Sequence, residues 1–106
     1  MAKRNRALED RNPFDPLDGA VSHSIDLHGF AATEARAAVI DFLRRARRQS
    51  PDGLVHVITG KGRGSPGRPV LKGAVKALLR SGEVPLLAWG EDLDGGGFLV
   101  RLGPLR

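Results

Sequence analysis

The sequence predicts an α/β domain of the α+β two-layer sandwich kind: a four-stranded mixed sheet, chain order β-α-β-α-β-β, with two helices on one face. Three observations predict it. Two strand-like runs, residues 24–29 and 54–59, are each followed by a stretch with apolar side chains at helical spacing. Two further apolar runs, 84–89 and 98–102, have between them only a connection rich in glycine and aspartate, as a hairpin requires. The chain has 106 residues, enough for one small domain and a short tail.

The first strand organises the rest. In an extended Ser24-Ile25-Asp26-Leu27-His28-Gly29, Ile25 and Leu27 share one face, while Asp26 and His28 share the other about 7 Å apart. The apolar pair enters a core and leaves an acid and an imidazole together at the carboxyl end of a strand, where α/β sheets bind ligands. Gly29 permits a sharp turn into the helix that follows. His23 falls on the opposite face of an ideal strand and is left out of the candidate site. Ahead of this strand, residues 1–21 read as a basic, flexible extension, with Pro13 and Pro16 resisting regular structure, and the domain proper spans 22–103.

Residues 31–48 form the first helix, with Ala35, Val39, Phe42, Leu43 and Ala46 on one stripe and Arg36, Arg44, Arg47 and Arg48 on the wet side. Ser50-Pro51-Asp52-Gly53 stops it. The run 54–59 alternates little, as in a strand buried on both sides, and His56 within it reads as a hydrogen-bonded core histidine. The loop 60–69 then gathers Gly60, Lys61, Gly62, Arg63, Gly64, Gly67 and Arg68. Glycines let backbone approach an anion and the cations supply the field, so this loop is the expected phosphate contact. It lacks the ending of a Walker loop.

The second helix covers 70–81, with Leu71, Val75, Leu78 and Leu79 inward, Lys72, Lys76 and Arg80 outward, and Gly82 as its C-terminal cap. Pro85 marks the third strand as an edge or an entry position. Since two helices cover one face, the other face of the sheet is expected to stay largely open, with Asp26 and His28 toward it.

Charge narrows the partner. Thirteen Arg and four Lys give a formal charge of +5 and a pI near 10.7, which favours an anionic partner such as nucleic acid. With no cysteine, disulfides, thiolate metal sites and thiol nucleophiles are excluded. No apolar run approaches membrane-spanning length and no hydrophobic signal core is present, so a soluble, cytoplasmic protein without membrane contact is expected.

The assembled motifs resemble the Smr (small MutS-related) domain family, in its stand-alone bacterial form, over about residues 22–102. The resemblance rests on Ile25-Asp26-Leu27-His28-Gly29, the helix after it, Thr59-Gly60-Lys61-Gly62-Arg63, Val70-Leu71-Lys72, and a glycine-rich turn before Phe98-Leu99-Val100. It implies the fold shared with the C-terminal domain of translation initiation factor three. It also implies nucleic-acid binding and, in many members, endonuclease or nicking activity on DNA or RNA. This chain departs from the pattern twice: Thr59 stands where many members have histidine, and Gly95-Gly96-Gly97 replaces a spaced glycine motif.

The expected reaction is phosphodiester cleavage. His28 would transfer protons, an imidazole pKa near about 6.5 suiting neutral pH. Asp26 would orient it or help position a cation. The nucleic-acid contacts would come from Gly29, Thr59, Gly60, Lys61, Gly62, Arg63, Arg68 and Lys72, the cations stabilising charge on phosphoryl oxygens. RNA supplies its own 2′-hydroxyl nucleophile; on DNA the nucleophile is water, and a divalent metal ion, magnesium or manganese, is the one cofactor left open. The rival readings are a non-catalytic DNA- or RNA-binding module acting in repair, recombination or ribosome quality control, and a protein-interaction domain. A larger repair or ribosomal assembly that recruits so short a chain is left open as a partner.

Overall fold

The computed structural model describes residues 15–60, 68–93 and 95–104, with backbone only at 68 and 69. The basic residues 1–14 of the extension and the loop residues Lys61, Gly62 and Arg63 lie outside the described residues. The elements are β1 (Val21–Asp26), α1 (Ala32–Gln49), β2 (Leu54–Ile58), α2 (Arg68–Ser81), β3 (Leu86–Glu91) and β4 (Gly97–Leu102). They occur in the expected order, and the strands form one mixed sheet arranged β1-β2-β4-β3. β1 runs parallel to β2, while β4 is antiparallel to both β2 and β3. The last strand thus inserts between β2 and β3, which leaves β1 and β3 as the edges, in keeping with the proline before β3.

Alternation along each strand sorts the two faces. Ile25, Val55, Val57, Phe98, Val100 and Trp89 face the helices and join Ala35, Val39, Leu43 and Ala46 of α1 and Leu71, Val75, Leu78 and Leu79 of α2 in one core. Both helices therefore lie on one face, as the apolar stripes require. Trp89 meets Phe98 edge to face, with ring centroids 6.0 Å apart. Glu34 Oε1 accepts the Ala31 amide at the start of α1, and Ala31 itself has no side-chain oxygen to cap the helix in return.

Three expectations are corrected. β1 begins at Val21 and ends at Asp26, before His28, because Asp26 Oδ1 accepts the His28 backbone N–H at 3.0 Å and the Phe30 amide bonds Leu27 O at 2.9 Å. That closes a turn across Gly29, whose φ of +87° suits glycine. β3 begins at Leu86, one residue past Pro85, which has no amide to give a ladder. The second face is also less open than two helices imply. Arg101, on that face, donates from its guanidinium to Pro16 O (2.8 Å), Asp18 O (2.9 Å) and Asp52 O (3.0 Å). This straps residues 15–20 over the sheet, with Leu17 against Gly90, and Leu54 on the same face is 2 % exposed. At the carboxyl end of β1, Asp26 and His28 are exposed.

Candidate functional site

β1 and β2 are parallel neighbours, so their carboxyl ends emerge side by side, with Asp26 in register with Ile58 and the Leu27 amide bonded to Ile58 O at 2.8 Å. Asp26, His28 and Gly29 therefore meet Thr59 and Gly60 at one end of the sheet. The structure brings these five residues together.

Within the cluster, the turn fixes His28 through its backbone. Asp26 spends Oδ1 on the His28 amide rather than on the imidazole, and both side chains are exposed. Among the described residues the His28 ring makes no hydrogen bond. An exposed imidazole on a pinned turn is free to meet a substrate, and Asp26 keeps a second carboxylate oxygen for the same purpose.

The turn joining β3 to β4 closes the site from the other side. Gly96 O accepts from the Thr59 amide (2.9 Å), the Gly60 amide (3.2 Å) and the Thr59 hydroxyl (3.3 Å). Thr59 is 2 % exposed, so its side chain faces inward and anchors the root of the loop. Gly60, at φ +113°, turns the chain away from the sheet. Gly97 lies flat against β2, where a Cβ would collide with the Val57 carbonyl and stand 3.0 Å from Ile58 Cα. The compact triple glycine thus has a packing role at its third position and an acceptor role at its second.

Lys72, in the first turns of α2, reaches the same turn: its Nζ lies 3.3 Å from Gly95 O and 3.0 Å from Glu91 Oε1. Lys76 approaches the other Glu91 oxygen at 3.7 Å. The hydrogen bond from Lys72, then its charge, holds the Glu91 carboxyl below the usual glutamate range. Arg68 opens α2. Lys61, Gly62 and Arg63 connect these ends in sequence.

Sequence reasoning missed Asp92. Its carboxylate is 3 % exposed and lies 2.7 Å from His56 Nε2 on the face opposite the helices. His56 is hydrogen-bonded, as expected, but half-buried on the strapped face rather than in the helix-side core. A histidine inside an apolar strand needs a polar partner; that requirement was the available signal. His23 faces α1, bonds Gln49 Oε1 at 3.0 Å and lines a groove of about 270 Å³ with Ile25, Phe42 and Arg45, away from Asp26 and His28. Among the described residues no three histidine, aspartate or glutamate side chains gather as metal ligands, and no helix is long and apolar enough to cross a membrane.

A mixed sheet backed by two helices, with Asp26, His28, Thr59 and Gly60 at one end, is the frame of the site, and the family it matches is a nucleic-acid-binding, nuclease-like class of domain. The Smr domain family model matches residues 25–97, more than half of the chain and every described residue from Asp26 to Gly96, and the chain belongs to that family. No curated protein and no solved structure gave a match.

Proposed function

We propose that this domain binds nucleic acid at the carboxyl ends of β1 and β2 and cleaves its phosphodiester backbone, with RNA the favoured substrate. The observation that carries the reading is the Asp26–His28 turn: it presents an exposed imidazole, unbonded among the described residues, beside the root of a cationic glycine loop. Imidazole is the side chain whose ordinary titration brackets neutral pH, so it serves as acceptor and donor of the same proton.

On RNA the 2′-oxygen attacks the adjacent phosphorus and its proton passes to His28. The bond from phosphorus to the 5′-oxygen breaks, a 2′,3′-cyclic phosphate forms, and the departing oxygen takes a proton from water or from the imidazolium. Asp26 holds the turn that carries the imidazole, so His28 meets the 2′-hydroxyl in a fixed position. Lys61, Arg63 and Arg68 neutralise the phosphoryl oxygens, Gly60 and Gly62 let the backbone come close, and Thr59 fixes the root of the loop. The lean toward RNA rests on the substrate's own chemistry: the 2′-hydroxyl is a nucleophile already in place, and one imidazole with cations beside it suffices to move its proton. A divalent ion would supply an activated water on DNA.

Cleavage of labelled single-stranded RNA, structured RNA and supercoiled DNA by wild type and His28→Ala tests this. Loss of at least about a hundredfold in rate, with affinity kept, is the expected result for a lost proton-transfer group. Identical products from both proteins would leave a binding module instead.

A further inference from the structure

We infer that this site takes unpaired nucleotides, with Phe30 as the surface on which a base stacks. The inference rests on the nucleic-acid reading above and names the substrate class within it.

The chain has five aromatic residues, four Phe and one Trp. Trp89 and Phe98 pack against each other on the core face, and Phe42 packs against the core beside β1. Phe14 is outside the described residues. Phe30, 39 % exposed, is therefore the one exposed aromatic among the described residues, and it stands two positions after His28 on the turn that Asp26 pins. It precedes the N-cap of α1, a position where an apolar residue helps set the entry of the chain into a helix. Leucine meets that need equally well; the exposed ring is what remains to be explained.

Two more exposed apolar side chains lie at this end of the sheet. Val70 (61 % exposed) is in the first turn of α2, just past the loop that leaves β2, and Leu93 (55 %) is in the turn whose Gly96 anchors Thr59. The other large exposed apolar side chains among the described residues, Val21 at the start of β1 and Leu87 in the second position of β3, lie at the far end. Apolar groups gain nothing from a phosphate ladder, whereas they cover the faces of unstacked bases. A duplex hides those faces between its own base pairs. Exposed apolar side chains at the rim, beside Asp26 and His28, fit a single strand or a splayed loop.

The test is fluorescence anisotropy at one salt concentration. The probes are a labelled RNA strand of about 12 nucleotides, the same strand with abasic positions, and the corresponding duplex. Phe30→Leu keeps the apolar contact at the start of α1 and removes the ring; Phe30→Trp restores a ring. The expected result is a tenfold or larger loss of strand affinity in Phe30→Leu, on the order of one stacked base. Recovery in Phe30→Trp, no change on duplex, and no effect of Phe30→Leu on the abasic strand complete the expectation. Equal strand binding by wild type and Phe30→Leu overturns the stacking role while leaving nucleic-acid binding intact. An equal loss on strand and duplex also overturns it, since the ring then acts by shaping the domain. Wild type that binds no probe overturns the nucleic-acid reading as well, and points to a protein partner for the apolar rim.

Discussion

His56 and Asp92 join β2 to the turn beyond β3, with Nε2 2.7 Å from Oδ2 and β4 running between them. His56 stands in register with Leu99, and the Asp92 amide bonds Gly97 O at 2.9 Å, so the bridge spans the first residues of the β4 ladder diagonally. It also braces the turn that carries Gly96, and through Gly96 the root of the candidate loop.

Removing His56 takes a hydrogen bond from a carboxylate that is almost fully buried. His56→Ala is expected to cost about 1–3 kcal/mol, measured by urea unfolding, because the penalty for under-satisfied buried polar groups falls in that range. Asp92→Asn keeps a polar partner for the imidazole and is expected to cost less. Equal stability of His56→Ala and wild type would mean that the bridge does not support the fold.

Two glycines should respond in opposite directions to alanine. At Gly97 the added methyl meets β2 backbone, which cannot rotate aside, so Gly97→Ala should destabilise by about 1–3 kcal/mol or more. At Gly73, exposed within α2, nothing lies within 4 Å of an added Cβ. Gly73→Ala should stabilise by about 0.5–1 kcal/mol through helix propensity and a less flexible unfolded chain. Thermal unfolding of the two variants checks both signs.

The Lys72–Glu91 bridge carries a pH dependence of definite sign. The Glu91 pKa is lowered in the folded state from an ordinary value of 4.5, chiefly by the Lys72 hydrogen bond and charge. Its contribution to stability is then complete above that ordinary value and is lost as pH falls through the lower folded value. Both partners are partly exposed, so the amount is small, under about 1 kcal/mol. The stability gap between wild type and Glu91→Gln should be present at neutral pH and close at strongly acidic pH. A gap unchanged across that range would show that the bridge is not the source.

What was legible in the sequence follows from the range of the forces involved. The stripes of α1 and α2 could be read because helical period and burial coincide at Val39, Leu43, Val75 and Leu79. The convergence of Asp26 and His28 with Thr59 and Gly60 followed from two strands that each precede a helix and therefore pair in parallel. Element ends were less legible, since the end of β1 depends on one side-chain-to-backbone bond at Asp26 and the start of β3 on Pro85. Asp92 was hidden because its partner is 36 residues away and its neighbours read as an ordinary polar turn. The strap under Arg101 was hidden for a similar reason: its three acceptors are backbone carbonyls, which carry no sequence signal.

The account turns on Asp26 and His28 acting as one unit through the bond from the His28 amide to Asp26 Oδ1. A double-mutant cycle on the two residues, read as kcat/KM for RNA cleavage, reaches that claim most directly. Asp26→Ala releases the turn and misplaces the imidazole, so the double variant Asp26→Ala/His28→Ala should be no slower than His28→Ala alone. Losses that multiply, or cleavage that survives His28→Ala unchanged, would contradict the account.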